Sequence, residues 1–222
     1  MTTRKFTASW SGGKDSAMAV YKAIQQGDEL ARIWTMFEEQ ADRSRSHALP
    51  EAVLRAQAES MGAPFTKRRA SWETYETQFI DAMEDAAAAG IPYGVFGDID
   101  LEDHRTWVQQ MSGRAEVTAL HPLWLIPRRQ LLEEFIHAGF EATIIVVNTS
   151  LMPARFLGRK FTLELMDELE QLGIDSCGES GEFHTVVSGG PIFRAPVPLQ
   201  FGEPVQKGDY LFLPTDVSSK TP

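Results

Sequence analysis

Along the first 120 residues, apolar positions alternate between short, nearly unbroken runs and longer segments in which they recur every three or four residues. That alternation predicts a parallel β-sheet with helices on both faces: a strand covered on both sides reads as a continuous apolar run, whereas a covering helix needs one apolar stripe. Five strands are expected, from Phe6 to Trp10, Leu30 to Phe37, Pro64 to Arg68, Tyr93 to Gly97 and Glu116 to Leu120. Between them Ala17, Tyr21 and Ile24 line a first helix stopped by Gly27, Leu54, Ala58 and Met61 line a second opening at Pro50, and Phe79, Met83 and Ala86 line a third. A shorter fourth helix fits Leu101 to Met111.

The pattern loosens after His121-Pro122-Leu123-Trp124, a stretch that reads as hinge packing. A helix from Arg129 to His137, a β-branched strand from Ala142 to Val147 and a helix carrying Phe161, Leu165, Leu169 and Leu172 are expected next. Beyond Gly173 come short strands rich in glycine and proline, then a polar tail from Thr215. The change places a boundary at residue 125, dividing the chain into 1–125 and a smaller α+β part, 126–222. Trp10 reads as core.

With 222 residues, 43% hydrophobic and 23% charged, the chain has the composition of a globular protein. No apolar run reaches the roughly 20 residues of a membrane helix, and the charges of Arg4 and Lys5 are followed by no signal-peptide core, so a cytoplasmic protein without membrane partners is expected. The formal charge of −10 disfavours a broad nucleic-acid surface, leaving Lys67-Arg68-Arg69 and Arg128-Arg129 as local basic patches or solvated element ends. Cys177, the lone cysteine, excludes an intrachain disulfide and a cysteine-based zinc cluster, and fits a small buried hydrophobe. Nothing in the pattern decides for or against a homo-oligomer.

Three constellations carry chemistry. In the first, Ser11-Gly12-Gly13-Lys14-Asp15-Ser16 joins the first strand to the first helix, the order an anion site requires: backbone N–H groups and the helix dipole converge, Lys14 adds charge, and Ser11 and Ser16 add hydroxyls. Its spacing is not that of a Walker A loop. The second is Gly97-Asp98-Ile99 followed by Glu102-Asp103-His104-Arg105. Gly97 permits close backbone approach, Asp98 suits Mg²⁺ or a polar substrate, and His104 and Arg105 suit an anion; the same residues also fit an ordinary charged helix start.

The third is Cys177-Gly178-Glu179-Ser180-Gly181-Glu182-Phe183-His184-Thr185, in which Glu182 and His184 share one strand face and Glu179 stands near, for acid–base work or for binding an ammonium ion. An exposed acidic turn is the alternative. His47 fits either a nucleotide contact or a solvated loop. Ligands of an open parallel sheet bind beyond the strand carboxyl ends, which gathers the loop at Ser11, the strand end at Met36-Phe37 and Gly97-Asp98 into one crevice.

The loop matches the SGGxDS signature of the PP-loop ATP pyrophosphatases. With Gly97-Asp98-Ile99, Pro122-Leu123-Trp124 and the Gly178-Glu179-x-Gly181-Glu182-Phe183-x-Thr185 motif, it resembles the diphthine–ammonia ligase family, an adenosine nucleotide α-hydrolase-like ATP-binding group, over nearly the whole chain. The resemblance implies a HUP-type Rossmann-like ATP-binding domain at 1–125 and a smaller α+β acceptor domain at 126–222. It implies that ATP with Mg²⁺ adenylates a carboxylate, releasing pyrophosphate, and that ammonia displaces AMP to give an amide.

By position, Ser11 to Ser16 would hold phosphates and Mg²⁺, with Lys14 and Asp15 catalytic. Backbone near Met36, Phe37 and Gly97 would meet the nucleotide. Asp98, His104, Arg105, Glu179, Glu182 and His184 would serve the acceptor, with Glu182 and His184 also catalytic and Asp98 also on the metal. Two departures point to a side branch with another acceptor: diphthine-directed members have Gly-Ala-Ile and Ser-Asp-Tyr-Gln-Arg in the second constellation, and Glu where this chain has His184.

Overall fold

The computed structural model describes residues 3–45 and 47–218; Met1-Thr2 and the end of the expected tail lie outside them. The chain runs β1 (Lys5–Ser9), α1 (Lys14–Gln25), β2 (Glu29–Glu38), α2 (Glu51–Met61), β3 (Phe65–Ala70), α3 (Tyr75–Ala88), β4 (Tyr93–Val95), α4 (Glu102–Arg114) and β5 (Thr118–Leu120). It continues with α5 (Arg128–His137), β6 (Glu141–Asn148), a 3₁₀ turn (Ala154–Phe156), α6 (Leu163–Gln171), β7 (Phe183–Gly189), β8 (Leu199–Phe201), β9 (Val205–Lys207), β10 (Tyr210–Phe212) and β11 (Thr215–Val217).

The first five strands form one parallel sheet in the order β3-β2-β1-β4-β5, so the fold is α/β with a Rossmann-like sheet. Because the order reverses between β1 and β4, their carboxyl ends leave a crevice that no crossover helix covers. An antiparallel sheet, β7-β6-β10-β9, and the pair β11-β8 follow. One buried cluster runs from Phe6, Ala8 and Ile33 through Val20 and Ala23 to Ile144, Leu165 and Val187, so both sheets share a core. A second, with Trp34, Phe79, Met83 and Phe96, lies on the other face of the parallel sheet.

Several elements differ in detail from the pattern. Helix α1 buries Met18, Ala19 and Val20 as well as Ala17 and Ala23, while Ile24 is 37% exposed. It packs against β7 as well as the parallel sheet, so one stripe underestimates its covered surface. Pro50 precedes the first turn of α2 rather than lying in it. Phe161 lies before α6, whose start is capped by Thr162 Oγ1 accepting from Leu165 N at 3.2 Å, and Leu172 is exposed just past its end. The expected polar tail opens as strand β11, paired with β8, and Thr215 is buried. Trp10 is core, with its indole N–H donated to Gln57 Oε1 at 2.9 Å.

The basic runs are neutralised. Lys67 and Arg69 both pair with Asp42, Arg68 with Asp85, Arg128 with Asp100 and Asp175, and Arg129 with Glu133, Asp167 and Glu170.

Candidate functional site

A cavity of about 360 Å³ lies at the crevice between β1 and β4, within the usual size range of small-molecule sites. Lys14 and Asp15 line it from the start of α1, Gly97, Asp98 and Ile99 from the end of β4, and His104 from α4. The stretch from Cys177 to Thr185 closes it from the antiparallel half, and His47 enters from the loop before α2. The three constellations, far apart in sequence, thus share one wall-to-wall space.

The phosphate-loop end is interlocked. Val187 N–H donates to Gly12 O at 2.9 Å, and Gln57 Nε2 donates to both Gly12 O at 3.1 Å and Val187 O at 2.7 Å. Ser11 Oγ accepts from Gly13 N at 3.3 Å and lies 3.1 Å from Ser16 Oγ, which donates to Gly13 O at 3.0 Å. Not all loop N–H groups are therefore aimed at an incoming anion: Gly13 N–H is turned to Ser11, and Lys14 N–H donates to Thr185 Oγ1 at 3.1 Å. Gly13 is required by close approach, since a Cβ there would run into the His47 ring and lie 2.9 Å from its Nδ1. At Gly97, too, a Cβ would sit 3.1 Å from the Asp15 carbonyl carbon and 3.2 Å from Ser16 N.

Lys14 is buried, with its ammonium 2.9 and 2.8 Å from the two oxygens of Asp15. Burial opposes its charge, but the carboxylate outweighs it and the pKa is raised. His47, buried rather than solvated, places Nδ1 2.8 Å from Thr185 O and lies against His184 with ring centroids 4.7 Å apart and the planes tilted by 39°. Burial, reinforced by Lys14, lowers His47 to about 4 and, with His47 as a further neighbour, His184 to about 3. Both rings are neutral at pH 7. Burial also pushes Glu179 up to about 7, helped by Asp15, and the Cys177 thiol up to about 12, which makes that thiol inert.

At the opposite end Asp98 accepts from two imidazoles, His104 Nδ1 and, at 3.0 Å, His121 Nδ1. Burial alone would raise its pKa, but the two hydrogen bonds hold it far below the usual carboxylate range. The hydrogen bond to Asp98 raises His104 in turn. Each Asp98 oxygen accepts one imidazole hydrogen bond and its side chain is 8% exposed, against 26% for Asp15, so Asp15 is the better placed of the two expected Mg²⁺ ligands. Asp15 keeps an accessible edge and fits as the single carboxylate of a Mg²⁺ site completed by phosphates and water; no cluster of three or more metal-ligating side chains occurs among the described residues.

Eight expected residues do not line the cavity. Ser11, Gly12, Gly13 and Ser16 are held in the interlocked loop, which reaches the cavity only through Lys14 and Asp15. The side chains of Met36 and Phe37 are core, Met36 O accepts from Arg45 N at 3.2 Å, and Phe37 bridges to Ser44. Arg105 turns its guanidinium over Trp124, 4.4 Å from the ring centroid. Glu182 precedes β7 instead of sharing a strand face with His184, and its carboxylate accepts from Ser180 N at 3.0 Å. Sequence reasoning missed Gln57, inside an ordinary helical stripe, and gave no site role to two residues it named: Thr185, the end of the third constellation, whose hydroxyl meets the loop, and His121, read as part of the hinge stretch one residue past β5.

No helix among the described residues is long and apolar enough to cross a membrane. Over 92% of its length, the chain is 26% identical to the diphthine–ammonia ligase of Danio rerio, of which 89% is covered, and 25% identical to that of Homo sapiens, of which 86% is covered. A crystal structure described as a predicted subunit of a tRNA methyltransferase from Methanocaldococcus jannaschii is 14% identical, with 78% of this chain and 90% of that one covered, but its TM-score of 0.36 is too low to carry an argument. Residues 4–118 match the diphthamide synthase N-terminal domain and residues 127–209 the diphthamide synthase C-terminal domain. On those two matches, in chain order and spanning most of its length, the chain belongs to the diphthamide synthase family.

Proposed function

We propose that the cavity is an ATP-dependent, amide-forming active site in which a substrate carboxylate is adenylated and a nitrogen nucleophile, ammonia in the first instance, displaces AMP. The observation that carries this reading is the buried Lys14–Asp15 pair at the start of α1, at the sheet's switch point and facing the Gly178–Thr185 motif across one cavity. In this reading 1–125 supplies the nucleotide half and 126–222 the acceptor half.

The carboxylate oxygen attacks the α-phosphorus, the bond to pyrophosphate breaks, and Lys14 stabilises the charge that grows on the leaving group. Mg²⁺ bound beside Asp15 would supply further neutralisation of the phosphates. The neutral His47 and His184 rings exclude water from the loop without adding a second fixed positive charge. Glu179, near neutrality in its proton affinity, suits an ammonium or amine partner. The Asp98 and His184 departures support an acceptor other than diphthine, the modified histidine of elongation factor 2.

The test is ATP–pyrophosphate exchange across a panel of carboxylates, followed by AMP release on adding ammonia. Exchange that depends on a carboxylate is the expected result. A second reading, an ATP-binding regulatory module without turnover, is favoured by one observation: Thr185 Oγ1 already holds the Lys14 N–H. Tight ATP binding with no exchange and no AMP would select it. A tRNA-modifying role is disfavoured by the paired state of both basic runs.

A further inference from the structure

The Asp98 carboxylate is clamped between two rings that differ in surroundings. His121 is buried, 4% exposed in its side chain, stacked on Phe96 at 5.8 Å between centroids and set edge-on to Trp124 at 6.3 Å. His104 lines the cavity with 59% of its side chain exposed. An ionised carboxylate only accepts hydrogen bonds, so both Nδ1 atoms carry a hydrogen. The Nε2 of His121 is buried without a hydrogen-bond partner among the described residues. The Nδ1–H of His121 is a fixed, buried donor that holds Asp98 in place. The same bond at the other oxygen fixes the tautomer of His104, whose free lone pair then lies on Nε2, on a ring facing the cavity.

We propose that His104, oriented by Asp98 and by His121 behind it, is the base that takes the proton from the nitrogen nucleophile in the second half-reaction. This role rests on the reading of the cavity as an amide-forming site. Ammonia is present at neutral pH mainly as ammonium, which gives one proton to His104 Nε2 and from there to solvent. The freed nitrogen attacks the carbonyl carbon of the acyl-adenylate, the C–O bond to AMP breaks with its electron pair leaving on the phosphate, and the second nitrogen proton leaves to solvent. His47 and His184 are too weakly basic for this step, and the Nδ1 of His47 is tied to Thr185 O. The charges that set His104 are Asp98 from the loop after β4 and Glu179 from the loop before β7. On its own helix Glu102 and Arg105 pair with each other. Asp98 and His121 are positioning residues, and diphthine-directed relatives of the resemblance have Ala where this chain has Asp98.

The experiment compares the wild-type protein with His104→Gln, Asp98→Asn and Glu179→Gln, using whichever of the free amino acids and C2 to C6 dicarboxylates gives the strongest ATP–pyrophosphate exchange. Each variant is assayed for exchange, for amide formation with ammonia and for hydroxamate formation with hydroxylamine, which is unprotonated at neutral pH and needs no base to become a nucleophile. For His104→Gln the loss of amide formation with ammonia exceeds any loss of exchange by about a hundredfold or more, and hydroxamate formation is largely retained. The wild-type rate with ammonia rises with pH as His104 deprotonates, and Asp98→Asn moves that limb to lower pH, because removing the carboxylate lowers the His104 pKa. Equal losses with both nucleophiles, or a loss confined to Glu179→Gln, overturn the role of His104 while leaving the active-site reading intact. No exchange with any carboxylate in the wild-type protein overturns that reading, and this role with it.

Discussion

The two ends of the cavity are built on opposite plans. At the phosphate-loop end, backbone, Gln57, His47 and Thr185 close on one another through bonds between residues 45 to 171 positions apart, and nearly every group is buried. At the other end Asp98 and His104 stand on the first turn of α4 and the loop before it, with His104 and Leu101 exposed at the rim. Long-range bonds in a dry interior make geometry hard to alter, whereas a rim on one short local segment changes by single substitutions. The two departures from diphthine-directed members divide accordingly. The Asp98 position lies directly behind the exposed His104 rim, its carboxylate 8% exposed and held from His121 as well, whereas the His184 position lies in the closed end as a neutral ring tilted against His47.

The largest expected effect comes from Lys14→Ala, which removes the buried cation and leaves Asp15 unpaired. ATP turnover to AMP and pyrophosphate should fall by about 10²–10³-fold, as for loss of one well-placed donor to a developing negative charge, measured by pyrophosphate release. Unchanged turnover would mean that the interlocked end is scaffold rather than catalytic machinery.

Gln57→Ala comes next. It strands the Trp10 indole N–H and removes the side-chain donor to the Val187 and Gly12 carbonyls, of which Gly12 O keeps the Val187 N–H, and should cost about 2 kcal/mol of stability in denaturant titration. A cost near zero would show that the closed end does not depend on this side chain for its lock.

The pH dependence is a smaller test of the same contrast. His47 and His184 stay neutral in the fold down to about pH 4 and about pH 3, whereas in the unfolded chain they protonate near their ordinary pKa of 6.5. Stability contributed by their neutral burial is therefore fully present above about pH 6.5 and is withdrawn as pH falls towards those values, by about 2 kcal/mol per imidazole at pH 5. His104 has the opposite sign, because its raised folded pKa adds stability below pH 6.5 that is lost as pH rises through the folded value. Denaturant titrations at pH 7 and 5 should give a shallower acid loss for His184→Gln than for the wild-type protein.

The smallest change is expected for Glu182→Gln. The carboxylate faces Ser180 N–H rather than the cavity, and the amide oxygen keeps an acceptor, so the cost is about 1 kcal/mol by thermal or denaturant unfolding. A large loss of product formation at unchanged stability would return Glu182 to the reacting centre.

Much of the fold was legible because its elements advertise themselves locally. The five apolar runs became β1 to β5 and the helix stripes became α1 to α4, since burial on one or both faces leaves a short-range imprint. The candidate site was legible as motifs but not as contacts: Lys14, Asp15, Asp98, His104, Glu179 and His184 all line one cavity. Glu182 and Arg105, of the same residue types and in the same motifs, do not. A one-residue difference in where β7 begins redirects a carboxylate, and an aromatic ring at Trp124 captures a guanidinium. Neither is written in spacing. Gln57 was invisible for the converse reason, since a glutamine in an amphipathic helix reads as surface until the strand that covers it is known.

Local order in the chain therefore determined the phosphate loop, the helix and strand alternation, and the residue types available for acid–base work, because each depends on neighbours within a few positions. The strand order 3-2-1-4-5, the seating of β7 on the loop and the clamping of Asp98 between His104 and His121 depend on pairings between distant segments. Those pairings are selected by the summed burial of a shared core and by the need to satisfy buried polar groups, quantities that exist only once the whole chain has folded.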